Sequence, residues 1–194
     1  MDAIAQDFFQ QYPETEWNKS ALMLKQLVAE VGITRIINSD TEAESAVPEA
    51  TAETLENLRN GEMLDYFNAQ NAKTQGPVDP LPENIQTFLT ENADALENIQ
   101  THLLSHRLPV FPLDVDAMGD FSYALPSFFS LVEVQKLLLL KAIYHAQQNQ
   151  PDAMATALEA SAVVTSSVVE RPDILSYLIS LIMTEQSMTV IRGL

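Results

Sequence analysis

Two prolines, Pro151 and Pro172, divide the C-terminal part of this chain into three stretches, and in each the apolar residues recur at the spacing of one helix face. The first runs from Pro126 or Ser127 to about Gln148, with Leu131, Leu138 and Ile143 set in a surface that is apolar nearly all round. A helix apolar on every side must be enclosed by others, so this one is expected at the centre of the fold. The second opens with Pro151, at the position where a first-turn proline costs no hydrogen bond, and carries Met154, Ala157, Leu158, Ser161, Val164 and Val168 on one stripe. The third opens at Pro172 and Asp173 and runs through Ile174, Leu175, Leu178, Ile179, Ile182 and Met183 to Arg192, with Gly193 placed to cap it. Connections this short turn neighbouring helices antiparallel.

Upstream the signal is more broken. Residues 2–12 fit a short amphipathic helix that Pro13 ends, and residues 14–31 fit a second, with Trp17, Leu24, Leu27, Val28 and Val31 on one face and Gly32 as its stop. Residues 33–38 (ITRIIN) fit a short strand or a further helical turn, a run too short for periodicity to arbitrate, and it leans to loop or helix. Residues 39–54 are small, acidic and almost without large apolar side chains, and read as a linker. A helix starting near Glu49 or Thr54 passes through Leu55 and Leu58, and Met63, Leu64, Tyr66 and Phe67 form a further stripe. The run QGPVDPLP at 75–82 interrupts any helix. Ile85, Phe88, Leu89, Leu96, Ile99, Leu103 and Leu104 then follow helical spacing, with Asn92 a point of division. Pro109 and Pro112 make residues 107–120 a crossing loop. The expectation is an all-α fold of antiparallel helical hairpins forming a bundle, with a Pro-rich crossing loop and a weakly repeat-like character. Its parts are N-terminal helices at 1–38, an acidic linker at 39–54 and a helical core domain at 55–194.

Charge and composition exclude several functions. A net charge of −17 repels phosphate backbones and anionic lipid headgroups, so no nucleic-acid partner is expected. The charge is uneven: residues 1–120 hold 21 Asp/Glu against 6 Lys/Arg, and residues 121–194 hold 6 against 4. Cysteine is absent, which removes disulfides, thiolate metal sites and cysteine nucleophiles together. Residues 1–12 place two aspartates and no basic residue ahead of their apolar positions, so no leader is read and the cytoplasm is the default compartment. The most apolar windows, 131–146 and 174–183, are too short, or too interrupted by Glu133, Lys136, Lys141 and Ser180, to span a bilayer. They read as core helices, with no direct membrane insertion.

The chemistry-bearing clusters each have a plain structural explanation. His102 and His106 stand four apart, a separation at which two imidazoles can share a metal, with His145 or Asp114 able to complete the set. No glutamate adjoins His102, and the pair reads as solvated histidines near a helix end. Asp114, Asp116, Gly119 and Asp120 suggest the start of a calcium loop, but Met118 fills a ligand position and Leu125 stands where the bidentate glutamate belongs. Asn18-Lys19-Ser20 fits the glycosylation pattern. Thr165, Ser166 and Ser167 have no basic partner beside them and read as helix surface. No phosphate loop, dinucleotide fingerprint or nucleophile elbow occurs. No catalytic, cofactor-binding or metal-ligating residue is therefore assigned.

Two resemblances rest on particular residues. Leu137, Leu140, Tyr144, Ala153 and Ala160 fall at the spacing of one tetratricopeptide unit, with Lys141 and Thr165 departing from that repeat. The motifs Leu108-Pro109-Val110-Phe111-Pro112-Leu113-Asp114, Gln150-Pro151-Asp152 and Glu170-Arg171-Pro172-Asp173-Ile174-Leu175 make residues 81–194 similar to a loose group of uncharacterised bacterial helical proteins. Members often carry an N-terminal membrane anchor and continue further. The resemblance thus implies a part of a longer protein, periplasmic or membrane-proximal if an anchor was removed, and it implies no activity. The functional expectation is a non-catalytic protein-interaction or scaffold module that binds a protein or peptide, with a homo-oligomer as a further form. The alternative is a small-ligand-binding domain or enzyme whose site assembles from dispersed residues such as His102, His106, Asp114 and Tyr123.

Overall fold

The computed structural model describes residues 18–33, 36–38, 49–73, 76–106, 108–111, 125–169 and 174–194. Within them the protein is all-α, with helices α1 (Lys19–Glu30), α2 (Glu49–Asn60), α3 (Glu62–Ala72), α4 (Glu83–Glu91), α5 (Ala93–Ser105), α6 (Phe128–Gln147), α7 (Pro151–Val169) and α8 (Ile174–Gly193). Ile37–Asn38 (β1) and Leu125–Pro126 (β2) form a two-residue antiparallel bridge, Ile37 opposite Pro126 and Asn38 opposite Leu125. Of the alternatives open at residues 33–38, the run ends in a strand at Ile37–Asn38, where the sequence leans to loop or helix. The reason is tertiary: the Ser127 N–H donates to the Ile36 carbonyl at 2.7 Å, tying the end of the N-terminal segment to the start of α6.

Helix α6 lies at the centre, packed against α4, α7 and α8. Leu131, Leu137, Leu138, Leu139, Leu140, Ala142 and Ile143 are all essentially inaccessible, as an all-round apolar surface requires. Ser127 caps its N-terminus, the hydroxyl oxygen accepting from the Ser130 N–H at 3.4 Å. The turn to α7 passes through Asn149 at φ 56°, a left-handed conformation that asparagine tolerates better than most residues. Ala157, Ala160 and Ser161 on α7 are buried, and small side chains there allow close helix approach. Gln135, fully buried on α6, joins the three C-terminal helices: its amide nitrogen lies 3.1 Å from Thr165 Oγ1, 2.9 Å from Ser187 Oγ and 2.7 Å from the Met183 carbonyl oxygen. These contacts, with the short turn after α6, set α6, α7 and α8 up, down and up.

The upstream helices extend the same core, in which Leu24, Met63, Ile85 and Leu96 cluster with the leucines of α6. Asn92 divides α4 from α5, as the sequence suggests. Helix α2 begins at Glu49, so residues 49–54 are helix rather than linker, and Leu55 and Leu58 anchor that helix in the core. The remainder of that expected linker, 39–48, lies outside the described residues, as do the helix expected at 2–12 and the stretch 14–17. Asn18 is the N-cap of α1: its side-chain oxygen accepts from the Ala21 N–H at 2.8 Å and the Val110 N–H at 3.2 Å, and its amide donates to the Leu108 carbonyl at 2.8 Å. That one residue both starts α1 and holds the described part of the crossing loop. Its amide is therefore committed to structure and does not behave as an open glycosylation acceptor.

At the other end of α1, Gly32 adopts φ +94°, and the Gly32 and Ile33 N–H groups return to the Ala29 and Val28 carbonyls at 3.0 Å each. This is a Schellman stop, which favours glycine because a side chain is strained in the left-handed region. A Cβ on Gly32 would also meet the Ala52 Cα of α2 at 2.9 Å. Gly32→Ala is expected to lower unfolding stability by about 2 kcal/mol or more in urea denaturation, while the same change at Gly61, which lacks the positive φ, costs less.

Candidate interaction surface

Helix α8 inverts the usual arrangement of a surface helix. Its inward stripe is Ser176, Ile179, Ser180, Met183, Gln186 and Val190, half of it polar. Its outward face carries Ile174, Leu175, Tyr177, Leu178, Leu181, Ile182, Met188 and Ile191, exposed by between 46% and 79%. The serines can lie inside because Ser180 donates to its own helix, at the Tyr177 carbonyl, over 2.7 Å, and Thr184 does the same to the Ser180 carbonyl. Ser176 and Ser180 lie inward beside Ile179, Met183 and Gln186, and the other bulky side chains of α8 face outward. Singly exposed apolar residues are ordinary on any protein surface, but a contiguous apolar face along a whole helix marks a contact surface. Phe129, at the start of α6, and Val169, at the end of α7, are also exposed and lie at the same end of the bundle as Ile174.

The apolar window at 174–183 lies within a helix that runs to Gly193, as the sequence expects, and an 18-residue window of that helix has a mean hydropathy of 1.4, long and apolar enough to cross a membrane by length and composition. About a third of it is buried against the rest of the protein.

The C-terminal end of α8 is fastened to the body. The Val78 N–H donates to the Gly193 carbonyl at 3.0 Å, and the Arg192 guanidinium donates to the Lys73 carbonyl at 3.0 Å. The same segment is held by Asp79: its carboxylate meets Lys73 Nζ at 2.6 Å and the Gln70 amide at 2.9 Å, and its carbonyl accepts from the Tyr66 hydroxyl at 2.7 Å and the Gln147 amide at 3.0 Å. The hydrogen bonds from Lys73 and Gln70 hold the Asp79 carboxyl below its usual range. Burial pushes the Tyr66 phenol up, with the nearby Asp79 charge acting the same way. The loop 76–82, which the sequence marks only as a break, therefore ties α3, α6 and α8 together.

The sequence-derived candidates are placed differently from expectation. His102 is 5% exposed rather than solvated, wedged between α5 and α1. Its Nε2 lies 2.9 Å from the Ser20 carbonyl oxygen and 3.1 Å from Ser20 Oγ, the arrangement of a neutral imidazole donating to α1. His106 is exposed and stacks on it, ring centroids 4.6 Å apart. His145 instead pairs with Gln150 across the α6–α7 turn, at 2.7 Å. Among the described residues no group of three potential ligands gathers, and Asp114, Asp116, Gly119, Asp120 and Tyr123 lie outside them. Ser167, expected on the surface, is buried and donates to the Val164 carbonyl at 2.6 Å; Thr165 is half-buried beside Gln135, and Ser166 is exposed. Lys141, which departs from the tetratricopeptide pattern, is buried along its stem and reaches Glu97 of α5 at 2.6 Å.

A cavity of 380 Å³ opens between α2, α3 and α4, lined by Thr54, Asn57, Leu58, Glu62, Asn84 and Phe88 among others. Glu62 Oε1 accepts from the Asn84 amide at 2.6 Å, while its Oε2 is buried without a hydrogen-bond partner. The lining offers amides, hydroxyls and the carboxylates of Glu62 and Glu91. No protein-family model matches the chain, and neither a curated protein nor a solved structure is significantly similar to it.

Burial lowers the His102 pKa, outweighing the favourable hydrogen bond to Ser20, and the neighbouring His106 lowers it further. A base with a depressed folded-state pKa binds its proton more readily in the unfolded chain. Its contribution to stability is therefore complete above about 6.5, the unfolded value, and declines as pH falls through the lower folded value. Urea midpoints measured between pH 7.5 and 5 are expected to fall more steeply for the native protein than for His102→Gln, which removes the titrating group. Equal slopes would show that His102 is not held neutral.

Proposed function

We propose that this protein is a non-catalytic helical interaction module whose contact surface is the outward face of α8. The observation carrying this reading is the inversion of that helix: serines and a glutamine face the core while Leu175, Leu178, Leu181 and Ile182 face outward. Burying one such side chain fully yields roughly 1.5–3 kcal/mol, so a partner helix laid on this face gains its affinity from apolar burial. The strong negative charge of the remaining surface keeps the molecule soluble and disfavours acidic partners elsewhere on it. The tetratricopeptide-like spacing in α6 and α7 supports the same role, since such hairpins stack side by side and leave one face of each to the next element. Glu185 and Arg192 on the outward side of α8 favour a protein partner over a lipid one, because a charge is costly to carry into a bilayer.

A photoreactive phenylalanine analogue at Tyr177, 61% exposed, is expected to form a covalent adduct with a protein on irradiation in cells. The same analogue at Glu159, on the exposed side of α7, is expected to form none. Leu178→Glu combined with Leu181→Glu is expected to abolish the adduct while leaving the far-ultraviolet circular dichroism of the purified protein unchanged. Equal adduct yields at Tyr177 and Glu159 would defeat the proposal.

A further inference from the structure

Resting on that reading, we infer that the occupant of the α8 face is a second copy of this chain, docked antiparallel about a two-fold axis. Three observations favour a copy of the same chain. The first is area: Ile174, Tyr177 and Met188 are exposed by 79%, 61% and 61% and their apolar neighbours by about half. Together they expose on the order of 800 Å² per protomer, an upper bound on what this face can bury and comparable with the share each partner contributes to a standard-size stable interface. The second is charge. The molecule carries −17 overall, yet the outward face of α8 holds only Glu185 and Arg192, which cancel. Two acidic copies can meet by this face without bringing net charge together, whereas their acidic N-terminal two-thirds repel any other approach. A basic partner would be drawn to that acidic region instead of to a neutral helix.

The third is self-complementarity. A two-fold interface places a patch against itself, so residue i meets j and j meets i. With the axis between Leu181 and Ile182, Leu181 lies opposite Ile182 of the second copy and Leu175 opposite its Met188. Apolar residues thus meet apolar residues at these two pairs, and Glu185 faces Leu178 of the second copy. Anchorage of α8 through Gly193 and Arg192 keeps the helix rigid, so little ordering is lost when the copies meet.

Sedimentation equilibrium of the purified full chain at micromolar concentration tests this. A dimer is expected. Leu181→Glu and Ile182→Lys are each expected to give monomers of native helicity, and mixing the two variants is expected to restore a dimer, because the new charges lie opposite each other. A native monomer overturns the inference, as does a dimer that both variants leave intact. Co-sedimentation with phosphatidylcholine vesicles is run in parallel, and a monomer that pellets with them assigns the face to lipid and equally overturns it. A native monomer that nonetheless forms the Tyr177 adduct with a different protein defeats this inference alone. Absence of both dimer and adduct defeats the interaction reading as well.

Discussion

Enclosure of α6 is the constraint from which the rest of the fold follows. A helix with leucine at Leu131, Leu137, Leu138, Leu139 and Leu140 has no side that water can cover cheaply, so it is stable only with helices around it. Helix α7 returns along it after a three-residue turn, α8 covers a further side, and α4 contacts another part of its surface. The N-terminal helix α1 is recruited indirectly, through α5, where His102 is fitted against Ser20. Each outer helix then needs only a narrow inward stripe, because α6 supplies most of the bulk of the core.

That division of volume explains the unusual helix at the end of the chain. With the central helix so bulky, α7 and α8 pack through alanines, serines and a few larger residues, and the Gln135 amide nitrogen reaches Thr165 of α7 and Met183 and Ser187 of α8. Ile179, Met183 and Gln186 take inward positions on α8, and its other large apolar side chains stand outward on a face whose two charges, Glu185 and Arg192, are of opposite sign.

Polar side chains set the positions that apolar burial leaves free. Asn18 starts α1 and grips residues 108–110, Asp79 draws the 76–82 loop onto α3 and α6, and Arg59 of α2 reaches Glu133 of α6 at 2.6 Å. Such interactions add modest free energy each, since every one replaces hydrogen bonds to water. Their effect is directional: they decide where a loop or short helix sits on a core that would otherwise accept several arrangements. The candidate surface depends on one of them, because the 73–79 segment holds the end of α8.

The sequence by itself determined the all-α class, the three C-terminal helices with their proline boundaries, the break at 75–82, the division at Asn92 and the stop at Gly32. All of these are local: periodicity, proline and a left-handed glycine act within one or two turns of chain. Tertiary structure alone decided that α2 starts at Glu49 and not at Thr54, that Ile37–Asn38 pair with Leu125–Pro126, and that His102 is buried. It also decided which face of α8 looks outward. Periodicity in α8 is nearly uniform, with apolar residues at almost every azimuth, so no stripe in the sequence points to the core. Close approach through Ser176 and Ser180 selected the inward side, and contacts between distant parts of the chain are what local patterns cannot encode.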